Sequence, residues 1–305
     1  MDDTIEFGIS LRLLFGAKQE AKRAEDLGYD YLLTGEHVMF HGPVANNLVS
    51  LAAAAGATER IRLMSGIVLV PLYPAALLAK QVSVLDVVSD GRFSLGIGVG
   101  GEFPKEFEAV GVPVKERGAR TDEGLRVLDL LLTQKDVHFD GRFTKLDGVS
   151  LAPRGVQKPR VPFWVAGRKD VAMRRAARYA EGWLPYMYTP EMLDESMTKI
   201  AGFTEEAGRP AGTVRGGLFI FTCVHEDRAT ALELANQQLS RQYNQDFSKL
   251  VEKYTIAGSP ADCIARLQEY IDAGARTIMF SQGCPPDYVD ENTRLIAETI
   301  LPAFR

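Results

Sequence analysis

Strand-type and helix-type hydrophobic patterns alternate along this 305-residue chain almost from end to end, which constrains its fold more than any other feature. Ile5–Leu11 is rich in β-formers, and Ala17–Leu27 follows with Ala21, Ala24 and Leu27 at helical spacing and Gly28 as a stop. Tyr29–Thr34 precedes the alanine-rich helix Asn46–Ala57, and Ile61–Val70 precedes a helix over Ala75–Val88. Phe93–Val99 leads to the amphipathic helix Arg117–Leu132. The second half repeats the rhythm with Pro162–Val165 then Val171–Glu181, and Gly182–Pro185 then Pro190–Ala207. Gly217–Val224 is followed by a helical stretch over Arg228–Tyr254 and a helix from Ser259-Pro260 through Ala273; Arg276–Phe280 leads to Asp290–Ala303. Eight strand–helix pairs in series require parallel strands joined by right-handed helical crossovers, since a parallel partner is out of reach of a tight turn. Closure of eight such units predicts a (β/α)8 TIM barrel.

The length would allow two domains, but a barrel of this size is routinely one, and no linker, low-complexity tract or internal repeat divides the chain. A single domain over 1–305 is expected, with an insertion around 133–160. There Val137–Phe139, Arg142–Lys145 and Val149–Leu151, with Asp140-Gly141 between the first two, suggest a hairpin excursion. A net charge of −5 argues against a nucleic-acid partner and against a polybasic membrane contact. No apolar run approaches the roughly 20 residues that span a bilayer. The acidic start Met1–Glu6 lacks the basic, apolar and small-residue order of a signal peptide. Cys223, Cys263 and Cys284, odd in number and far apart, fit a reduced cytoplasmic protein.

In such a barrel function gathers where strands end at their carboxyl side. Those ends hold Glu36-His37, Ser65-Gly66-Ile67, Gly98–Glu102, Ala166–Lys169 and Ser281–Cys284. The glycines Gly98, Gly100 and Gly101 allow a flat or phosphorylated ligand to approach the main chain. Glu102-Phe103-Pro104 stands where a Rossmann fingerprint needs helix, so that motif is a poor fit. Glu36-His37 sets an acid beside an imidazole that titrates near neutrality; a histidine satisfied by a loop carbonyl is the competing reading. Glu36, His37 and His41 are a conceivable metal cluster, but Gly42-Pro43 truncates any helix that would align the rings and no third ligand is close in sequence, so no metal is expected. Gly167-Arg168-Lys169 before a helix start is a natural phosphate cradle. Arg174, Arg175 and Arg178 extend its charge, or form a solvated basic face. Trp183 reads as a core filler. Phe40, Tyr73, Phe103, Tyr186 and Tyr188 would wall a pocket for a planar or lipophilic small molecule, or pack the core. No G-x-S-x-G, H-E-x-x-H or P-loop is present, and acid–base groups at the strand ends are few. The site suits a cofactor that carries the chemistry itself.

A series of short motifs runs in order over nearly the whole chain. It includes Tyr31-Leu32-Leu33-Thr34-Gly35-Glu36-His37, Leu78-Ala79-Lys80-Gln81, Leu85-Asp86, Ser89-Asp90-Gly91-Arg92 and Leu95-Gly96-Ile97-Gly98-Val99-Gly100. Glu106-Phe107, Gly111-Val112-Pro113, Glu116-Arg117, Lys158-Pro159-Arg160, Ala180-Glu181-Gly182-Trp183 and Gly258-Ser259-Pro260 complete it. In these the sequence resembles the luciferase-like monooxygenase superfamily, in particular its oxidoreductases dependent on the deazaflavin coenzyme F420. The resemblance implies a barrel with insertions, usually a homodimer, that transfers a hydride between F420 and a small organic substrate. An FMN-dependent luciferase-like monooxygenase is the alternative, followed by a metal-dependent barrel hydrolase or a non-catalytic cofactor-binding barrel. By position, His37 would lie against the ring system as proton donor or acceptor, with Glu36 where many relatives carry Asp. Ser65-Gly66-Ile67 matches the place of a non-prolyl cis peptide against the ring, Gly98 and Gly100 line the cofactor, and Gly167, Arg168 and Lys169 match the phosphate turn. Family acids often follow Gly-x-Gly directly; here Gly101 intervenes before Glu102, which therefore does not inherit that role. The anionic oligoglutamate of F420 would want the cations Arg168, Lys169, Arg174, Arg175 and Arg178, favouring F420 over FMN.

Overall fold

The computed structural model of the protein describes residues 3–11 and 16–305, which leaves Met1 and Asp2 of the acidic start outside. Its centre is a closed parallel barrel of β1 (Glu6–Ser10), β2 (Tyr31–Thr34), β3 (Arg62–Ser65), β4 (Phe93–Gly98), β5 (Phe163–Ala166), β6 (Gly182–Leu184), β7 (Arg215–Val224) and β8 (Thr277–Gln282). Each strand pairs with the next in sequence, and β8 closes on β1 with Thr277 opposite Glu6. The (β/α)8 TIM barrel expected from the alternation is the fold.

The period of two along each strand separates two apolar layers. Leu32 joins Phe7, Leu63, Phe93 and the helix residues Leu51 and Leu78 in the large core outside the barrel wall. Tyr31 and Leu33, on either side of it, join Met64, Trp164, Leu184 and Met279 in a separate cluster that fills the interior. Glycine makes that filling possible on β1, where a Cβ at Gly8 would stand 2.3 Å from the Met279 sulfur.

Four stretches depart from the sequence pattern. Ile61–Val70 reads as one buried strand, yet the chain leaves the wall after Ser65, passes through a cis Gly66–Ile67 peptide, and returns with Val68 and Leu69 paired to Ile97 and Gly98 of β4. Ser65 replaces the missing ladder, its hydroxyl donating to the Gly96 carbonyl at 3.1 Å and accepting the Gly96 N–H at 2.8 Å. The helical stretch over Arg228–Tyr254 stops at Tyr243, where Asn244 adopts a left-handed conformation (φ 50°). A short strand Thr255–Gly258 then adds to β7 outside the closed set. The excursion is an antiparallel hairpin of Val137–Asp140 with Lys145–Val149, so the expected second and third pieces merge into one offset strand. The closing helix is regular only over Val289–Leu295, then widens into a π-helical stretch over Ile296–Ile300 and ends in a tighter 3-10 turn over Leu301–Phe304.

The Ser89–Arg92 motif is scaffold. Asp90 and Gly91 take φ of 53° and 75°, which turns the chain into β4. Arg92 donates to the Ala55, Thr58, Ile61 and Ser89 carbonyls, tying that turn to the end of the preceding βα unit. Fully buried Asp86 accepts from the backbone and side chain of Gln157 and so anchors the far end of the insertion. Among the described residues no helix is long and apolar enough to cross a membrane.

Candidate active site at the barrel mouth

The carboxyl ends of the parallel strands share one rim, which brings the segments after β2, β3, β4, β5 and β6 together. After β2, Glu36 and His37 point to different partners. One Glu36 oxygen accepts the Leu69 N–H at 2.9 Å and the other accepts the Tyr73 hydroxyl at 2.9 Å. Burial pushes the Glu36 carboxyl above its ordinary range, opposed by the Leu69 N–H and the Tyr73 hydroxyl. Both oxygens thus lace the segment after β2 to the returning chain after β3. Expected at the pocket wall, Tyr73 spends its hydroxyl on this link.

His37 carries the accessible chemistry. Its Nδ1 lies 3.2 and 3.1 Å from the two carboxylate oxygens of Glu106, a residue with no exposed surface. Glu106 also accepts the Val38 N–H at 3.2 Å, so the carboxylate orients both the ring and the backbone beside it. It sits on the short helix Pro104–Ala109, started by a proline at its first position. A carboxylate oxygen accepts, so Nδ1 carries a hydrogen, and in the neutral imidazole Nε2 keeps its lone pair. The imidazole stacks on Phe40, centroids 4.2 Å apart, and Phe40 meets Phe103 edge-on at 6.0 Å. Of the five expected wall aromatics, Phe40 therefore covers the histidine, and Phe103 packs behind it against Phe40 and His41. Glu106 was visible in the sequence only as half of the Glu106-Phe107 motif; its link to His37 spans 69 residues and has no local signature.

Beside this pair the cis Gly66–Ile67 peptide forms a bulge, and the glycines of β4 serve it. A Cβ on Gly98 would fall 1.8 Å from Ile67 Cδ1, and one on Gly96 would fall 1.9 Å from the Ser65 carbonyl oxygen. The space over Gly98 thus belongs to the Ile67 side chain, where the sequence suggested room for a ligand. Gly100 takes φ of 60° over Phe107, and Gly101 takes φ of 105° against Arg117; both carry the chain around the rim.

After β5, Gly167 adopts φ of 124°, and a Cβ there would stand 2.8 Å from Ala172. The helix Asp170–Tyr179 starts at once, with Lys169 at its cap making no side-chain cap bond. Among the described residues the N–H groups of Asp170 and Val171 have no acceptor, the condition of an anion-ready helix start. The turn is braced from below, because Trp183 donates from Nε1 to the Gly167 carbonyl at 2.9 Å and Tyr188 donates to the Arg168 carbonyl at 3.1 Å. Trp183 fills core as expected and also holds this turn. Tyr188, expected on the pocket wall, is buried against Trp183. Tyr186 does reach the rim: its hydroxyl donates to Glu102 at 2.8 Å, and the Arg168 guanidinium lies over its ring at 5.1 Å. Burial, reinforced by Glu102, pushes the Tyr186 hydroxyl up to about 12.

Of the arginines beyond the turn, Arg175 is locked to Asp122 at 2.5 Å and Arg174 pairs with Glu206 at 2.6 Å. Among the described residues no three His, Cys, Asp or Glu side chains gather as a metal site.

The luciferase-like monooxygenase family model matches residues 16–277. An uncharacterised protein of Mycobacterium tuberculosis is 33% identical over 185 residues, which is 60% of this chain and 63% of that protein. The F420-dependent glucose-6-phosphate dehydrogenase of Microbacterium testaceum is 26% identical over an alignment covering 98% of this chain and 95% of the relative. Among solved structures, monooxygenase RslO1 from Streptomyces bottropensis superposes with a TM-score of 0.87 at 25% identity, over 99% of this chain and all of that one.

Proposed function

This chain belongs to the luciferase-like monooxygenase family, and from that membership we propose that it is an oxidoreductase transferring a hydride between coenzyme F420 and a small organic substrate. The observation that carries the reading is His37 held by a buried carboxylate on the same rim as an uncapped helix start. The turn fits the cofactor's phosphate: Gly167 provides a backbone conformation that side chains resist, Asp170 and Val171 offer free N–H donors, and Arg168 and Lys169 add positive charge. When bound, the deazaflavin supplies the ring carbon that gives or takes the hydride. The chain supplies the rest. Glu106 fixes the His37 ring and offsets positive charge on it, so that Nε2 takes or returns the substrate proton. Phe40 and Phe103 shield that proton from water. Ile67, propped over Gly98, offers an apolar shelf for a planar ring.

The Microbacterium relative supports F420 as the cofactor. An FMN-dependent monooxygenase is the second reading, favoured by the likeness to RslO1. The remaining parts of the proposal are one domain over 1–305, the cytoplasm as its compartment, supported by three free buried cysteines, and a homodimer. Exposed Val38, Met39, Val44, Val49 and Leu77, on the segment after β2 and the next two helices, support the dimer. A difference-absorbance titration with oxidised F420, FMN and FAD tests the cofactor. F420 is expected to bind most tightly, and FMN preferred tenfold or more, about 1.4 kcal/mol, overturns the choice.

A further inference from the structure

β6 stands four places from β2 in the ring of strands, so its end faces the His37 side across the mouth. Leu184 of β6 and Phe219 of β7 pack with the cluster that fills the barrel. A period of two carries that inward face on to Tyr186 and Phe221, and a bridge between Tyr186 and Phe219 extends the pairing past the end of β6. The rings form a chain. Phe219 meets Phe221 edge-on at 5.6 Å, and Phe221 meets Tyr243 edge-on at 6.2 Å. Tyr243 is the last residue of the helix Arg228–Tyr243 and stacks on Phe247 at 5.2 Å, which steadies its ring. Phe221 is buried and acts as a buttress, whereas Tyr186 and Phe219 are half-buried and Tyr243 is exposed. Three rings thus keep open surface on a rigid backing, which is the construction of an apolar binding wall.

Glu102 and Arg168, of opposite sign, both meet this wall. The Glu102 carboxylate accepts the Tyr186 hydroxyl at 2.8 Å, and the Arg168 guanidinium lies 5.1 Å from the centre of the same ring. Tyr243 stands with all three groups: desolvation lifts its hydroxyl above the ordinary range, Tyr186 and Glu102 add to the rise, and Arg168 opposes it. Arg168 belongs to the phosphate turn, so an anion seated on the wall meets the carboxylate. A cation meets a ring face that a guanidinium already covers. A charge of either sign would shed its water without gaining a partner, whereas an uncharged ring loses little hydration and gains aromatic contact. On the facing side Nε2 of His37 takes a proton, which a hydroxyl on the reacting carbon can supply.

We propose that the substrate is an uncharged, ring-bearing alcohol or the matching carbonyl compound, seated between His37 and the wall of Tyr186, Phe219 and Tyr243. The inference rests on the hydride-transfer reading above and names its substrate class. In the oxidising direction the carbinol carbon passes its hydrogen with the bonding pair to the deazaflavin ring carbon. The hydroxyl proton goes to His37 Nε2, and a carbon–oxygen double bond forms.

The test measures binding to the F420-loaded enzyme through the change in deazaflavin fluorescence. The probes are benzyl alcohol and mandelate, which keeps the ring and carbinol but adds a carboxylate beside the hydroxyl. The wild type should bind benzyl alcohol at least about tenfold more tightly than mandelate. Tyr243→Ala should weaken benzyl alcohol about fivefold, and Glu102→Gln should narrow the gap between the two probes about threefold. Both residues are exposed, so both variants should unfold at the wild-type temperature. A wild type that prefers mandelate or fails to bind benzyl alcohol overturns the substrate class and leaves the F420 reading standing. So does a Tyr243→Ala enzyme that keeps full affinity for the alcohol, or a Glu102→Gln enzyme that keeps the full gap. Failure of F420 itself to bind overturns the two together.

Discussion

Replacing Glu106 by Gln keeps the shape of the side chain and removes its charge, which isolates what the carboxylate does for His37. Glu106 has no exposed surface and both its oxygens lie close to Nδ1, at 3.2 and 3.1 Å, so no water replaces the charge that glutamine lacks. If His37 takes up a proton as hydride moves, the ring becomes cationic in the transition state, and its hydrogen bond to Glu106 becomes charge-assisted at that moment. Hydrogen bonds to charged groups contribute about 1.5–3 kcal/mol. Loss of that amount from the transition state alone lowers kcat roughly 10- to 150-fold. Cofactor affinity should stay within about threefold, since Glu106 lies behind the histidine, and His37→Ala should be at least as impaired. Single-turnover hydride transfer between F420 and any organic substrate found to turn over, read at the deazaflavin absorbance band, measures the chemical step apart from binding. A Glu106→Gln enzyme that binds F420 normally, unfolds at the wild-type temperature and turns over within threefold of wild type would refute the pair as the proton-handling device.

Two further outcomes test the scaffold. Gly96→Ala places a methyl group 1.9 Å from the Ser65 carbonyl, a backbone atom held by the bulge, and should destabilise by roughly 1–3 kcal/mol or more in urea unfolding; a neutral result would mean the β3–β4 contact yields freely. Burial works to raise the Glu25 carboxyl, but backbone N–H bonds from Ile61, Arg60 and Glu59 prevail and lower it from 4.5 to about 2. A folded-state value below the unfolded one means the carboxylate stabilises the fold above pH 4.5, and that contribution fades as pH falls from there towards 2. The stability gap between wild type and Glu25→Gln should therefore close through that window, and a gap constant with pH would contradict the three-donor cap.

Much of the architecture is legible because its causes are local. A strand buried on one or both faces and a helix with an apolar stripe each carry their period in consecutive residues, and eight such pairs leave a closed parallel barrel as the economical arrangement. The same logic placed His37 and Gly167 at strand ends, since a rim position needs only the boundary of a strand. The Ser89–Arg92 turn likewise has a local cause, as Asp-Gly chemistry is a property of two adjacent residues. The departures share a different origin. Ile61–Val70 looks continuous in hydrophobicity, yet it breaks where the Ser65 hydroxyl finds Gly96 on another strand. Glu36 stood next to the histidine in sequence, but the acid against the imidazole is Glu106, delivered by a short helix two βα units later. Gly98 looked like a gap for a ligand until Ile67 filled it, and two of the five cations after β5 met carboxylates on neighbouring helices. Periodicity fixes which face of an element turns inward, whereas the partner of a side chain depends on how the closed barrel brings remote loops to within hydrogen-bonding distance. That is why the scaffold was written in the order of the residues, and the proton-handling pair came into being only when the ring of strands closed.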